Sequence, residues 1–327
     1  MAKFVAVADH EPMSAVRTRP FRFGVSILGP ADRESLVGFA RRAEDLGYDI
    51  LTVPDHVADG LLSPFTTLAT VASATDRLRI GTLVLNNDLR HPALAAREAA
   101  TLHALSGGRM ELGLGAGHAA PEYAALGLPF DEATTRVDRL TEAASVVRRL
   151  LGGETVTFEG AHYALTAHAL WPPPQSPLPL LIGGNNRRLL RLAAREADIV
   201  GFTGLGRTLE DGQRHEPSGF APSAVDERVA LVRAAAGDRL NDLEFHALVQ
   251  AVVITDDRRA SATTVAATAP PLTADDVLGS PFVLVGTPDE MTEELRAYRA
   301  RFGMSYFTVF DRYLEDFAPV VRALAGT

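Results

Sequence analysis

Two histidines and one glutamate have the residue types and spacing that proton transfer requires. His56 comes directly after one apolar run, and His118 comes after another, with Glu122 one helical turn beyond it. Imidazole gains and loses a proton near neutral pH, so it can serve as an acid or a base. We therefore take His56 as the first candidate for a proton-transfer group, His118 as the second and Glu122 as the orienting residue. Structural hydrogen bonding is the alternative role for all three.

A glycine and asparagine cluster lies between a short apolar run and a helical pattern that begins at Arg187. Its members are Gly183, Gly184, Asn185 and Asn186. Backbone N–H groups at the beginning of a helix attract anions, and glycine leaves them accessible. The cluster predicts a phosphate site. A helix cap or a simple chain turn is the alternative.

The segment Gly113-Leu-Gly-Ala-Gly117 also follows an apolar run. Its spacing differs from the G-x-G-x-x-G pattern of dinucleotide-binding folds, and no acidic residue stands at the expected later position. We predict instead that Gly117 and its neighbours let a flat ring lie against the backbone, with tight packing as the alternative.

The residues that metal-dependent or serine-dependent hydrolysis would require are missing from the sequence. The chain has no cysteine, no His-x-His on its first predicted strand and no G-x-S-x-G segment after any strand. Metal hydrolysis and serine hydrolysis are therefore disfavoured, and we predict no metal site.

The elements that must position these residues alternate between short apolar strands and helices. Short apolar strands without polar alternation are typical of a parallel sheet that is buried on both faces. Eight such units predict an α/β protein, a (β/α)8 TIM barrel, in which the loops after the strands build the site at the C-terminal mouth. The predicted strands are Phe23–Ile27, Ile50–Pro54, Arg79–Leu85, Met110–Gly115, Pro179–Ile182, Ile199–Thr203, Glu244–Ile254 and Tyr306–Phe310.

The predicted domain organisation is simple. Residues 1–20 form an N-terminal arm, and residues 21–327 form one barrel domain. Two stretches, 152–178 and 255–287, interrupt the alternation. They are either insertions that shape a pocket at the mouth or solvated excursions.

Composition limits the partners. The chain has 327 residues, a formal net charge of −9 and no basic block, which disfavours nucleic acid and acidic membranes. No stretch reaches the roughly 20 apolar residues of a membrane span. With no cysteine and no signal-like N-terminal segment, we expect a cytoplasmic protein with a small-molecule substrate.

Taken together, these segments resemble the bacterial luciferase-like family. Within it they are most similar to the coenzyme F420-dependent branch, which includes glucose-6-phosphate dehydrogenases and methylene-tetrahydromethanopterin reductases. The resemblance extends from about Phe21 to Gly326. It depends on residues 43–56, 81–86, 90–92, 106–117, 136–140, the Gly183-Gly184 loop and residues 193–198.

The resemblance implies roles for individual residues. It places His56 against a deazaflavin ring as a proton donor or a stabiliser of hydride transfer. Leu83-Val84 falls where the family often has a non-prolyl cis peptide and a bulge behind the ring, and Asn86 matches a position that contacts the ring edge. Gly183, Gly184, Asn185 and Asn186 match the phosphate loop of the cofactor. Asp55 and Gly117 belong to the same predicted cofactor site, where Asp55 either contacts a ligand or only orients a loop.

The chain also differs from the sugar-phosphate dehydrogenases. Where those carry a glutamate acid after strand four, this sequence has His118, so their substrate is not expected here. Arg136 and Arg139 match a helix motif of the family, for which we predict a structural ion pair. Phe65, Tyr123, Trp171 and Phe202 are candidates for pocket lining, or else for core and lid positions.

The resulting expectation is an F420-dependent oxidoreductase. It would transfer a hydride between the deazaflavin C5 and a C=C or C=N bond of a small organic substrate, with natural products as one source. A monooxygenase that uses reduced FMN is the first alternative, and a non-catalytic flavin-binding barrel is the second. The family further implies a homodimer.

Overall fold

The computed structural model describes residues 18–29, 32–57, 60–206, 209 and 215–327. Eight parallel strands of these residues close into a barrel in which each strand pairs with its neighbours in chain order and β8 pairs with β1. The strands are β1 (Arg22–Ser26), β2 (Ile50–Val53), β3 (Arg79–Thr82), β4 (Met110–Gly115), β5 (Leu180–Gly183), β6 (Ile199–Phe202), β7 (Glu244–Leu248) and β8 (Met304–Phe310). The (β/α)8 prediction is therefore confirmed.

Helices flank the strands, and most of them bury their apolar faces against the barrel. They are α1 (Arg33–Asp45), α2 (Pro64–Ala74), α3 (Pro92–Leu105), α4 (Ala120–Ala125), α5 (Ala133–Leu151), α6 (Arg187–Glu196), α7 (Pro222–Ala236), α8 (Arg258–Thr268), α9 (Ala274–Leu278), α10 (Pro288–Phe302) and α11 (Leu314–Leu324). Residues that commonly cap or terminate helices stand at the helix ends. Asp32 caps α1 by accepting a hydrogen bond from the Ser35 amide, and Gly303 ends α10 in the left-handed conformation.

Charged groups close the end of the barrel opposite the mouth. Arg22 lies between Glu111 and Glu244, with N···O distances of 2.5 and 2.9 Å, and Arg79 contacts the same Glu111 oxygen at 2.6 Å. The pKa of Glu244 is raised because burial disfavours its charged form. This packed, ion-paired floor leaves the C-terminal mouth as the end at which a ligand can enter.

Two strand predictions were wrong in their extent. The chain predicted as one strand, Glu244–Ile254, forms β7 and then a separate strand, Ala251–Ile254, which pairs in parallel with Val283–Gly286 in a sheet of its own. The strand predicted at Arg79–Leu85 is interrupted after Thr82 and resumes as Leu85–Asn86. Both runs are mostly apolar and contain no glycine–proline break at these points, so periodicity could not reveal where the backbone leaves the barrel.

The two predicted insertions have structure. Within 152–178, strands Val156–Glu159 and Ala164–His168 form an antiparallel hairpin, whose Tyr163 hydroxyl accepts a hydrogen bond from Asn87 at 3.1 Å. Within 255–287 lie α8, α9 and the strand Val283–Gly286, which share a small core of their own. The first insertion therefore reaches the rim of the mouth, and the second forms an α/β unit after β7.

The predicted N-terminal arm falls almost entirely on residues 1–17, which lie outside the described residues. Arg19, which is described, donates to the backbone oxygens of Leu243 and Asp242 at 3.1 and 2.6 Å. In the part of the chain that the structure describes, no helix combines the length and apolar character that crossing a membrane requires.

Candidate active site

His56 is held at the mouth by Glu122. Its Nδ1 lies 2.7 Å from Oε1 of Glu122, and the other carboxylate oxygen accepts the backbone N–H of Val57 at 3.2 Å. Because a carboxylate can only accept, the proton of a neutral His56 resides on Nδ1, and Nε2 is the nitrogen left for another group. The structure thus joins the first proton candidate to the residue predicted to orient it.

His118 lies between two other imidazoles. Its ring centroid is 5.3 Å from that of His56, edge to face, and 5.0 Å from that of His215, at an interplanar angle of 53°. Burial, and then the positive charges that His56, His215 and Arg136 can carry, lower the pKa of His118 to about 4. His118 is therefore neutral at physiological pH. His215 is a site residue that the sequence analysis missed.

The peptide bond Leu83-Val84 is cis and not prolyl, as the resemblance implies. Both side chains pack on an interior cluster that contains Ile50, Leu181, Ile199 and Tyr306. A Cβ added to Gly115 would lie 2.6 Å from Val84, and one added to Gly183 would lie 3.1 Å from it. The glycines at the ends of β4 and β5 thus make room for the Val84 bulge.

Asn86 and Gly117 belong to one hydrogen-bonded group. The Asn86 side-chain oxygen accepts from the Tyr123 hydroxyl at 3.0 Å and from the Asp88 amide at 3.1 Å. Gly117 has a φ of 74°, and a Cβ there would collide with Tyr123 and Asn86. Tight packing within the protein therefore accounts for a glycine at position 117. Tight packing was the alternative to the predicted ring contact.

Asp55 braces the loop after β3. Its buried carboxylate accepts the Asn86 amide at 3.1 Å and pairs with Arg90. Of the two roles predicted for Asp55, these contacts favour the orientation of a loop.

The glycine and asparagine cluster connects two loops of the mouth. Asn185 donates from Nδ2 to the Thr203 hydroxyl at 2.6 Å and to the Leu205 carbonyl at 2.5 Å. Asn186 caps α6 by accepting from the Arg188 amide at 2.8 Å. Gly184 has a φ of 150°, and a Cβ there would collide with Leu189. The start of α6 is therefore positioned at the mouth, with Arg187 exposed in its first turn.

Arg136 and Arg139 support the walls of the site. Arg139 pairs with Asp88 at 2.8 Å and also with Asp131, while Arg136 donates to the Gly117 carbonyl at 3.3 Å and stacks on Phe130. Arg139 thus forms the structural ion pairs that were predicted, whereas Arg136 is held by backbone carbonyls and an aromatic ring instead.

The aromatic pocket candidates separate into different environments. Phe202 is fully buried in the core, Tyr123 is buried in the Asn86 group, and Trp171 is 85% exposed. The Arg90 guanidinium lies over the Phe65 ring, with its central carbon 5.8 Å from the ring centroid. Among the described residues, no cluster of histidine and acidic side chains could hold a metal ion.

The site suits a flat ring that carries a phosphate. Leu83 and Val84 contribute apolar side chains, His56 has one ring nitrogen not engaged by Glu122, and the beginning of α6 has N–H groups that could face an anion. The three features lie at the C-terminal ends of β2, β3 and β5, which converge at the mouth.

The sequence model that describes luciferase-like monooxygenases matches residues 17–273. The F420-dependent glucose-6-phosphate dehydrogenase of Microbacterium testaceum is 35% identical over 192 residues, which cover 55% of this chain and 56% of the relative. That of Nakamurella multipartita is 33% identical over 256 residues, which cover 74% of this chain and 70% of the relative. The match thus spans little more than half of the first relative.

A solved structure shares the fold along nearly the whole chain. An F420-dependent secondary alcohol dehydrogenase, in complex with an F420-acetone adduct, superimposes with a TM-score of 0.73. The two sequences are 21% identical, and the superposition covers 93% of this chain and 98% of that one.

Proposed function

Because the chain belongs to the luciferase-like monooxygenase family, we propose that it is an oxidoreductase that uses coenzyme F420. The observation that carries this proposal is the His56–Glu122 pair, which lies at the same end of the barrel as the apolar Leu83-Val84 segment. The names of the two sequence relatives support the choice of coenzyme.

The proposed reaction is the transfer of a hydride to or from a C=C or C=N bond of a small organic molecule. The coenzyme, when bound, supplies or accepts the hydride at C5 of its deazaflavin ring. The protein orients the ring and the substrate, and it exchanges one proton with the reacting bond. His56 is the proposed proton group, since Glu122 occupies Nδ1 and leaves Nε2 for the substrate.

The remaining site residues would hold the coenzyme. Leu83 and Val84 would support the ring from behind, with Asn86 at its edge. The phosphate would lie at the beginning of α6, near Gly183, Gly184, Asn185 and Asn186, where backbone N–H groups and the helix dipole favour a negative charge. Asp55 and Gly117 would contribute indirectly to coenzyme binding, through the contacts that hold Asn86 in place.

Titration of the purified protein with coenzyme F420 and with FMN tests the proposal. We expect the deazaflavin to bind more tightly, and we expect His56→Ala to lower turnover by about 10²-fold or more while the protein still binds the coenzyme. A preference for FMN by an order of magnitude would overturn the assignment. A near-normal rate in His56→Ala would transfer the proton role to His118.

A monooxygenase that uses reduced FMN is the second candidate, because the matching family is described as luciferase-like monooxygenases. Rapid mixing of the enzyme, reduced FMN and oxygen separates the two. A transient flavin hydroperoxide absorbance is expected only for the monooxygenase. Binding of either coenzyme without turnover of any substrate would indicate the non-catalytic barrel.

We propose further that residues 21–327 form one domain, that two copies associate as a homodimer and that the protein is cytoplasmic. Sedimentation of the full chain at micromolar concentration tests the dimer, and a monomer mass would refute it.

A further inference from the structure

Three imidazoles meet at the mouth, from the loops that follow β2, β4 and β6. His118 is the central one, with its ring centroid 5.3 Å from His56 and 5.0 Å from His215. Because β2, β4 and β6 are alternate strands of the barrel, the group extends across the mouth. A substrate atom that reaches His56 therefore has neighbouring atoms beside His118.

His118 has unused hydrogen-bonding capacity. Neither of its ring nitrogens forms a hydrogen bond with another residue of the described chain, and the side chain is half-buried at the mouth. Burial lowers its pKa to about 4, so at neutral pH it keeps one N–H donor and no charge. A substrate group that accepts from this donor would therefore gain a hydrogen bond without breaking one within the described protein.

We propose that His118 donates a hydrogen bond to a carbonyl oxygen of the substrate, and that the substrate is an α,β-unsaturated carbonyl compound reduced at its C=C bond. This inference rests on the proposed function and specifies its substrate class. His215 packs against the His118 ring, with the ring centroids 5.0 Å apart, and so helps to position the donor.

The chemistry of such a substrate requires two separate groups. When a hydride from the reduced deazaflavin adds to the β-carbon, the π-electron pair of the C=C bond moves toward the carbonyl oxygen as an enolate. A donor at that oxygen stabilises the developing charge. The α-carbon then takes the Nε2 proton of a doubly protonated His56, whose Nδ1–H stays on Glu122, as the C=O bond re-forms. His56 is left neutral and regains its Nε2 proton from water. The balance is one hydride and one proton added across the C=C bond.

The neutral state of His118 suits the oxygen site. A neutral imidazole stabilises the enolate without readily giving up its proton, so the proton is delivered at carbon by His56. An isolated alkene has no oxygen for His118. An imine needs only one donor, at its nitrogen, and His56 would satisfy it alone.

Reduction of three probes by reduced coenzyme F420 tests the substrate class. The probes are 2-cyclohexen-1-one, cyclohexene and the cyclic imine 1-pyrroline. We expect the enone to be reduced with the highest kcat/KM. A higher kcat/KM for the imine, or no reduction of the enone, would overturn the inference.

Two variants of His118 and one control separate donation from packing. His118→Phe keeps a ring but has no donor, and we expect it to lower kcat for the enone by about 10²-fold. His118→Asn keeps an N–H donor and should recover part of this loss. His162→Phe, in the hairpin at residues 156–168, should leave the rate unchanged. An undiminished enone rate in His118→Phe would refute the proposal.

An infrared measurement supplies a readout that does not need turnover. The carbonyl stretch of 13C=O-labelled 2-cyclohexen-1-one should move to lower frequency on the wild-type protein, with or without oxidised coenzyme. The shift should vanish in His118→Phe and persist in His118→Asn. If the coenzyme binds but no shift is seen, this inference fails and the proposed function stands. If the coenzyme does not bind, the proposed function fails, and the shift without coenzyme still decides whether His118 binds the carbonyl.

Discussion

At the scale of single residues, carboxylates that accept backbone N–H groups shape the mouth. Glu122 holds both the His56 ring and the Val57 amide, and Asp311 accepts the amides of Leu28 and Gly29 after β1. Loops have few packing contacts of their own, so such anchors decide where a catalytic side chain points. The position of His56 therefore depends on Glu122 as much as on β2.

Removal of Glu122 should impair turnover more than coenzyme binding. We expect Glu122→Ala to lower kcat by about 10-fold to 10²-fold, because the His56 ring loses its orientation. Glu122→Gln keeps an oxygen that can accept from Nδ1 and should give an intermediate kcat. The measurement is kcat together with the coenzyme Kd. Glu154→Gln, which alters an exposed pair with Arg149, is the matched control. A normal kcat in Glu122→Ala would contradict the orienting role.

At the scale of elements, close approach between strands and loops creates the platform of the site. The Val84 bulge fits only because glycines stand opposite it on β4 and β5. The β5–α6 loop is tied to the loop after β6 by Asn185. Small residues and one bridging amide thus determine the geometry of the predicted coenzyme surface.

Gly113 on β4 is a position where an added side chain should destabilise the fold. A Cβ there would collide with the Thr82 carbonyl and lie 3.1 Å from Val84. We expect Gly113→Ala to lower the free energy of unfolding by about 1–3 kcal/mol. The control is Gly38→Ala in the exposed middle of α1, where a Cβ meets nothing within 4 Å. There alanine should raise the free energy of unfolding by about 0.5–1 kcal/mol. Equal effects in denaturant titrations of the two variants would refute the packing argument.

Asn185 should matter for coenzyme binding through the loop that it holds. We expect Asn185→Ala to weaken coenzyme binding by about 10-fold, since the start of α6 loses its link to Thr203 and Leu205. Asn186→Ala removes the cap of α6 and should cost about 1 kcal/mol of stability. Fluorescence titration of the coenzyme and denaturant unfolding measure the two effects. An unchanged Kd in Asn185→Ala would argue against a phosphate site in this loop.

At the scale of the whole molecule, the barrel interior holds titratable groups that link stability to pH. His246 on β7 is fully buried, with Nε2 2.9 Å from the Thr308 hydroxyl on β8. Burial, and then the charge of Arg22, lower the pKa of His246 to about 3. The unfolded chain, with a histidine pKa of about 6.5, therefore binds more protons than the folded one between these two values.

The sign of the effect follows from this difference. The free energy of unfolding should fall as the pH falls from about 6.5 toward 3, and His246 alone should contribute a slope of up to about 1.4 kcal/mol per pH unit. His246→Gln keeps a donor for Thr308 but does not titrate, so its stability should decline less steeply by that amount. Denaturant unfolding of both proteins between pH 7 and 4 measures the slopes. Parallel curves would show that His246 does not carry the linkage.

The sequence by itself determined the alternation of strands and helices and the α/β barrel. Apolar runs, the Asp32 cap and glycine stops act within a few residues of the chain, so they can be recognised without knowing the fold. The same local reasoning placed His56, His118 and Glu122 at the mouth, because the ends of parallel strands meet there. The cis Leu83-Val84 bond followed from family resemblance alone.

Only the tertiary structure decided which of these residues touch. It joined His56 to Glu122, placed His215 against His118, assigned Asp55 to a loop brace and directed Ala251–Ile254 into a second sheet. The physical reason is that lateral neighbours around a closed barrel are distant along the chain, and no periodic pattern records them. Closure also brought His56 and His215 against the half-buried His118, and this environment lowers its pKa.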